Sequence, residues 1–358
     1  MGLFRRASWT ALGLFLLTAP PAFAHALNGA SPSNYRTRIL SVDPETPGID
    51  IKVVEAGNRL LLTNQTTNEV LVLGYAQEPY LRVGPQGVFE NLRSPATYTN
   101  RSRLPTAELP AKASKDPNTP PEWKKASAAN NFRWHDHRVH YMGLQPPGPV
   151  KADSGSEHVI IPAWEVPLVL GQEKILVKGD LRWIPGPSSL PWLAIALVSG
   201  LALAGLVLGA GARRPSLARA VLLTTLVLLI ALDVFRLAGL ASNVASSLVK
   251  AAGNNLPAVA AWVLAVVAGV FILRNDARLG PALSAGTGAL FALSAFGDIK
   301  VLSSSQLATD APLWLTRLSV AAGLGLGVGL LVVAFVPLLT PPAAVRAPEP
   351  PNQPVPVE

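Results

Sequence analysis

The feature that most constrains this chain is a series of five apolar stretches in its second half. They cover residues 192–211, 217–237, 257–273, 281–296 and 313–339. Each is close to the ~20 residues that cross the hydrocarbon core of a bilayer. The sequence therefore predicts an all-α bundle of five transmembrane helices over residues 192–339, with the lipid bilayer as its first partner. The fourth stretch is the weakest, being rich in Gly, Ala and Ser. Gly205/Gly209, Gly323/Gly327 and Gly325/Gly329 are pairs of the GxxxG type, which let helix backbones approach closely.

Loop charge orients the bundle. Arg213, Arg214 and Arg219 fall between the first and second stretches, and Arg274 and Arg278 between the third and fourth. Arg346 follows the fifth, while the alternate connections carry only Lys250 and Lys300. By the positive-inside rule the arginine loops are cytoplasmic, so residues 25–190 are expected to be extracytoplasmic. The N-terminus agrees. Arg5 and Arg6, an apolar run over 11–17, and Ala22-Phe23-Ala24 have the layout of a secretory signal peptide over residues 1–24. Cleavage there makes His25 the first residue. Residues 340–358 read as a disordered, Pro-rich cytoplasmic tail. The formal net charge of +8 is then no footprint for nucleic acid. Residues 25–190 hold 18 basic and 16 acidic residues, and much of the excess sits in the membrane loops.

Residues 25–184 follow another pattern. Short β-prone runs at 49–55, 59–63, 69–75, 79–83, 157–161, 164–170 and 173–183 alternate with turn residues. Ala56-Gly57-Asn58 and Gly171-Gln172 are expected to be tight connections. The spacing predicts an exported all-β sandwich of immunoglobulin-like type, joined to the first helix by a linker over 185–191. Residues 104–125 read as a long surface loop or lid. The chain has no cysteine, so disulfides, thiolate metal sites and a cysteine nucleophile are excluded.

The chemistry is concentrated in one nonapeptide. All five histidines lie in the first half: His25, His135, His137, His140 and His158. Three of them fall within residues 134–142, and Met142 is the only methionine besides the first residue. Imidazole suits Zn, Cu and Ni, while a thioether selects copper. In an extended segment His135 and His137 share one face, and His140 and Met142 the other. A strict strand therefore splits the set, unless a bend intervenes. An N-terminal His25 adds an α-amine and an imidazole, a nitrogen-rich pair suited to Cu(II). The expected cofactor is copper, with zinc second. A structural, hydrogen-bonded corner and a pH sensor are the competing readings of the cluster.

His25 and the 135–142 cluster carry a resemblance. The layout resembles bacterial copper-handling proteins of the CopC and CopD type, which pair an exported β-sandwich with a multi-span membrane unit. The resemblance implies copper bound through the N-terminal histidine, with the clustered histidines supplying the other ligands. It also implies another copper-handling envelope protein as partner. The plan is similar, too, to that of actinobacterial-type membrane proteins. The chain departs from CopC and CopD in its longer sandwich, in having five spans, and in spans without His or Met.

In the bundle, Asp233 and Arg236 are three residues apart and share a helix face. With Asp298, Lys300, Asp310 and Arg317 they are expected to form a polar cap beneath the exported domain. Without His or Met the spans offer no copper path and no axial haem ligand. No GxSxG, HExxH, phosphate-binding loop or dinucleotide fingerprint occurs, so an enzyme is not expected. The alternative is a non-metal interaction module for a protein or the cell wall, in which Trp123, Trp134 and Trp164 matter more than the histidines.

Overall fold

The computed structural model describes residues 31–101, 109–211 and 213–339. The expected signal peptide, His25 and the Pro-rich tail lie outside the described residues. An N-terminal domain of two antiparallel sheets is followed by helices, five of them long and apolar enough to cross a membrane.

The larger sheet has seven strands, in the order β1 (Tyr35–Asp43), β10 (Glu173–Trp183), β9 (His158–Leu170), β4 (Val70–Leu73), β5 (Pro79–Gly84), β6 (Gly87–Asn91) and β7 (Trp123–Ser127). The smaller has three, in the order β2 (Ile49–Val54), β3 (Arg59–Asn64) and β8 (Asn131–Trp134). Period-2 alternation turns one face of each sheet inward. Leu60 and Leu62 of β3 and Trp134 of β8 thus meet Val72, Leu81, Val166 and Val177 of the larger sheet in one buried core.

Two details depart from the sequence expectation. The runs at 157–161 and 164–170 form the single strand β9. Pro162 has no amide hydrogen, and it falls where the register shifts between the pairs Trp164↔Gly179 and Ile161↔Leu181, so the ladder loses no bond there. The presumed loop over 104–125 ends in β7, which pairs with β6. The expected turns occur. Gly171 (φ 63°) joins β9 to β10, and a short turn over Glu55–Gly57 joins β2 to β3. The latter is unusual, because Glu55, Ala56 and Gly57 all have positive φ (55°, 54° and 90°).

The candidate membrane helices are α1 (Leu190–Gly211), α2 (Pro215–Asn243), α3 (Leu256–Leu273), α4 (Leu279–Gly297) and α5 (Leu313–Leu339). Helix α2 runs six residues past the expected 237, because its last turns are held by protein partners. Glycines set the closest contacts. A methyl group added at Gly325 of α5 would overlap the Ala196 carbonyl of α1, and one at Gly327 would come within 2.7 Å of the Gly288 carbonyl of α4. The pairs Gly323/Gly327 and Gly325/Gly329 are thus used inside the bundle. Gly205 and Gly209 are not. A Cβ at either meets nothing within 4 Å among the described residues.

Among the described residues, the β-domain is bonded to the bundle at two places. Ser33 and Gln306 exchange backbone hydrogen bonds (3.1 and 2.8 Å), and Ser305 donates its N–H to Asn34 Oδ1 and its hydroxyl to the Ile184 carbonyl, both at 2.8 Å. At the second place Asn243, the last residue of α2, accepts the Glu55 N–H (2.9 Å) and donates to Asp310 Oδ1 (2.8 Å).

Candidate metal centre

Strand β8 ends at Trp134, opposite Leu60 in the register. The chain then turns sharply, and one carboxylate organises the turn. Asp136 is fully buried. It accepts hydrogen bonds from Trp134 Nε1 (2.9 Å), from the Arg138 N–H (3.1 Å) and from Arg138 Nε and Nη2 (2.8 and 2.7 Å). Burial pushes its carboxyl up, but the Arg138 bonds and charge outweigh this and hold it below the usual carboxylate range. Arg138 also reaches the Leu73 carbonyl at 3.2 Å, pinning the turn to the end of β4. Val139 is buried in the core, and its carbonyl accepts the Thr37 hydroxyl (2.8 Å).

This turn corrects the expectation of an extended segment. It brings His135, His137 and His140 to one point instead of splitting them across two faces. The ring centroids of His135 and His140 are 4.0 Å apart, and His137 lies 5.3 and 5.4 Å from the two. One ring nitrogen from each lies within 4.8 Å of the others. His135 and His140 are buried, and His137 is half-buried.

The second ring nitrogen of His140 is oriented from behind. The carbonyl of Tyr141 lies 3.3 Å from His140 Nδ1, an arrangement that places the lone pair on Nε2. Metal-bound histidines are held in this way, with one ring N–H on a carbonyl and the other nitrogen toward the ion. His135 Nε2 is buried and has no hydrogen-bond partner. Burial, then the neighbouring His140 and His137, lower the His135 pKa to about 3, so its imidazole is neutral and able to ligate. The Tyr75 hydroxyl accepts the backbone N–H of His137 at 3.0 Å. Burial, aided by the nearby Asp136 charge, pushes that phenol well above its usual range.

The remaining sequence candidates are distributed as follows. Met142 is half-buried in the loop after the triad. His158 stands apart at the start of β9, bonded to the Asp153 carbonyl. A cavity of about 350 Å³ borders the centre, lined by residues 31–35, 56–58, His140, Tyr141 and Ser304. It therefore lies where the described chain begins. Trp134 and Trp164 are each only 3% exposed and belong to the core, so they present no interaction surface. Sequence reasoning missed Asp136, Thr37 and Tyr75. The Trp-x-Asp-x-Arg spacing around the histidines is the one local signal that marks the turn.

The polar residues of the bundle form three groups, not one cap. Asp233 bonds Arg236 at 2.8 Å and accepts the Trp262 Nε1–H at 2.9 Å, while Arg236 reaches Asp298 at 2.7 Å. Asp310 joins Ser242 and Asn243 (2.8 Å each), with Lys52 of β2 at 4.0 Å. Arg317 donates to the carbonyls of Val301 (3.3 Å) and Ser304 (2.8 Å).

No protein-family model matches the chain, and neither a curated protein nor a solved structure matches it.

Proposed function

We propose that this is a multi-pass membrane protein whose β-domain binds a transition-metal ion through His135, His137 and His140. The carrying observation is His135. It is a buried imidazole whose Nε2 has no hydrogen-bond partner, beside two further imidazoles. Leaving a buried polar atom unsatisfied costs about 1–3 kcal/mol, a cost that metal coordination removes. Asp136 is saturated by Trp134 and Arg138, so the ligand set is nitrogen-rich and lacks a carboxylate. Such a set suits copper or zinc.

Copper is the first choice, because His25 is within reach. Six residue steps, with five residues between, separate it from Ser31, which lines the cavity beside His140. Extended chain of that length spans about 20 Å. After signal cleavage, the His25 amine and imidazole would complete a tetragonal site, with Met142 as a weaker ligand toward Cu(I). In this reading the domain is extracytoplasmic, the arginine loops are cytoplasmic, and the site serves copper trafficking, delivery or sensing in the cell envelope. No catalysis is proposed.

The test is Cu(II) titration of the full chain in detergent, carrying an authentic His25 N-terminus, followed by EPR and by competition with Zn(II). Stoichiometric binding with nitrogen hyperfine structure, abolished when His135 and His137 are both changed to Ala, supports the proposal. Weak binding that this variant leaves unchanged refutes it.

A further inference from the structure

Arg317 is a cation with no counter-charge among the described residues. It stands on α5, four residues after the helix begins at Leu313, and only 9% of it is exposed. Its Nε and Nη2 donate to the carbonyls of Val301 and Ser304, and Nη1 makes no hydrogen bond among the described residues. Nη1 is not one of the sealed polar atoms of the interior, so a group outside the chain can reach it.

A guanidinium stays charged at any working pH. The two carbonyls satisfy part of its hydrogen-bonding capacity but supply no negative charge, and a charge taken out of water is costly until it is paired. The acids at this end of the bundle are committed elsewhere. Asp298 is bonded to Arg236 (2.7 Å), and Asp310 to Ser242 and Asn243 (2.8 Å each). The chain that leads to Ser33, beside Gln306, brings none, because residues 1–30 contain no Asp or Glu. Position adds to the imbalance. The start of a helix carries partial positive charge, which favours an anion and disfavours a further cation. Lys300, next to Val301, is exposed and has no ion pair among the described residues.

The surroundings of these two cations are apolar. Phe296 at the end of α4, Ile299 beside Lys300, and Leu313 and Trp314 at the start of α5 are all exposed. Leu313 and Trp314 lie four and three residues before Arg317, on its face of the helix. Exposed indole and aliphatic surface at the end of a membrane helix belongs at the level of lipid headgroups. We propose that Arg317, with Lys300, holds the phosphate of one anionic phospholipid at the β-domain end of α4 and α5. The guanidinium matches a phosphate in shape as well as charge. A lipid without a cation of its own fits, since the protein supplies two. Phe296, Ile299, Leu313 and Trp314 then flank its acyl chains. This goes beyond the metal reading and is independent of it; it rests on the helices lying in a bilayer.

The experiment uses the full chain, delipidated in detergent, with phosphatidylglycerol, phosphatidylcholine or inorganic phosphate added, and follows bound lipid by native mass spectrometry. Wild type should take up one phosphatidylglycerol with an affinity about thirty-fold above that for phosphatidylcholine, the effect of two cations. Arg317→Gln should lose most of that preference. Lys250→Gln, altered at another exposed lysine at the same end of the bundle, should keep it. Lys300→Gln should reduce it about five-fold, and this surface substitution decides the matter if Arg317→Gln does not fold. Equal affinities for the two lipids, a preference that Arg317→Gln or Lys300→Gln leaves whole, or displacement of the lipid by an equal concentration of inorganic phosphate overturns the proposal.

Discussion

Trp134 Nε1 donates to Asp136 Oδ2 at 2.9 Å, and this bond across one residue is where β8 stops being a strand. With Arg138 on its other side, Asp136 converts a His-x-His-x-x-His run into three converging rings. Changing Asp136 to Ala leaves a buried guanidinium without its carboxylate. The expected loss is about 3–5 kcal/mol, seen in thermal unfolding, together with loss of Cu(II) stoichiometry although every histidine remains. Asp136→Ala with wild-type binding would show that the turn does not depend on this carboxylate.

His135 gives the opposite separation of stability from binding. Its buried Nε2 has no hydrogen-bond partner, so an apolar residue of similar volume removes a cost. His135→Leu is expected to match or exceed the metal-free wild type in Tm while binding less Cu(II). A clear drop in metal-free Tm would mark His135 as a structural residue.

Acid should weaken the larger sheet through Asp180. Hydrogen bonding to Arg38 (2.9 and 2.6 Å) and to Arg182 (2.7 Å) outweighs burial and lowers its pKa to about 2. A carboxyl depressed on folding stabilises above its unfolded pKa and loses that contribution as pH falls toward the folded value. The contribution is therefore whole at pH 6 and fades between about pH 4 and 2. Both arginines are partly exposed, which limits it to about 1 kcal/mol. Unfolding curves of wild type and Asp180→Asn should differ at pH 6 and converge near pH 2.

The glycine contacts predict an asymmetry along the bundle. Gly325→Val would drive a side chain into the Ala196 carbonyl and should cost about 1–3 kcal/mol or prevent assembly. Gly209→Val enters open space and should leave the stability of the single chain unchanged. Thermal aggregation in detergent compares the two, and equal effects would contradict the helix packing described.

The Asp233–Arg236–Asp298 group sets a charge balance among the helices. Arg236→Ala removes the guanidinium that contacts both carboxylates and should cost about 3–5 kcal/mol. Adding Asp298→Asn should return part of that loss, which a double-mutant cycle on thermal stability measures. Strict additivity would mean that Arg236 and Asp298 do not interact.

Legibility in the sequence followed the range of the forces involved. The five helices were readable because length and apolarity are local properties. The end of α2 was not, since Asn243 is fixed by Glu55, 188 residues away. Strands β1, β6, β7 and β8 were missed: the last three are only four or five residues long, β7, Trp-Lys-Lys-Ala-Ser, lacks an apolar alternation, and in β1 the alternation is broken at Ile39-Leu40, where its register shifts. The histidines were legible as a cluster. Their convergence was not, because it depends on Arg138 reaching Leu73, 65 residues back. Trp134 and Trp164 looked available for recognition, yet their large apolar surfaces fill the core.

The two docking points have a mechanical consequence. The Ser33–Gln306 bridge lies beside Ile184, where the chain leaves the β-domain for α1, so on its own it would act as a swivel. The Asn243–Glu55 bond is a second support, off that axis. A body held at two points cannot nod on its tether, so the tilt of the β-domain over the helix ends is fixed. Release of the second support alone would give it one hinge and one direction of swing.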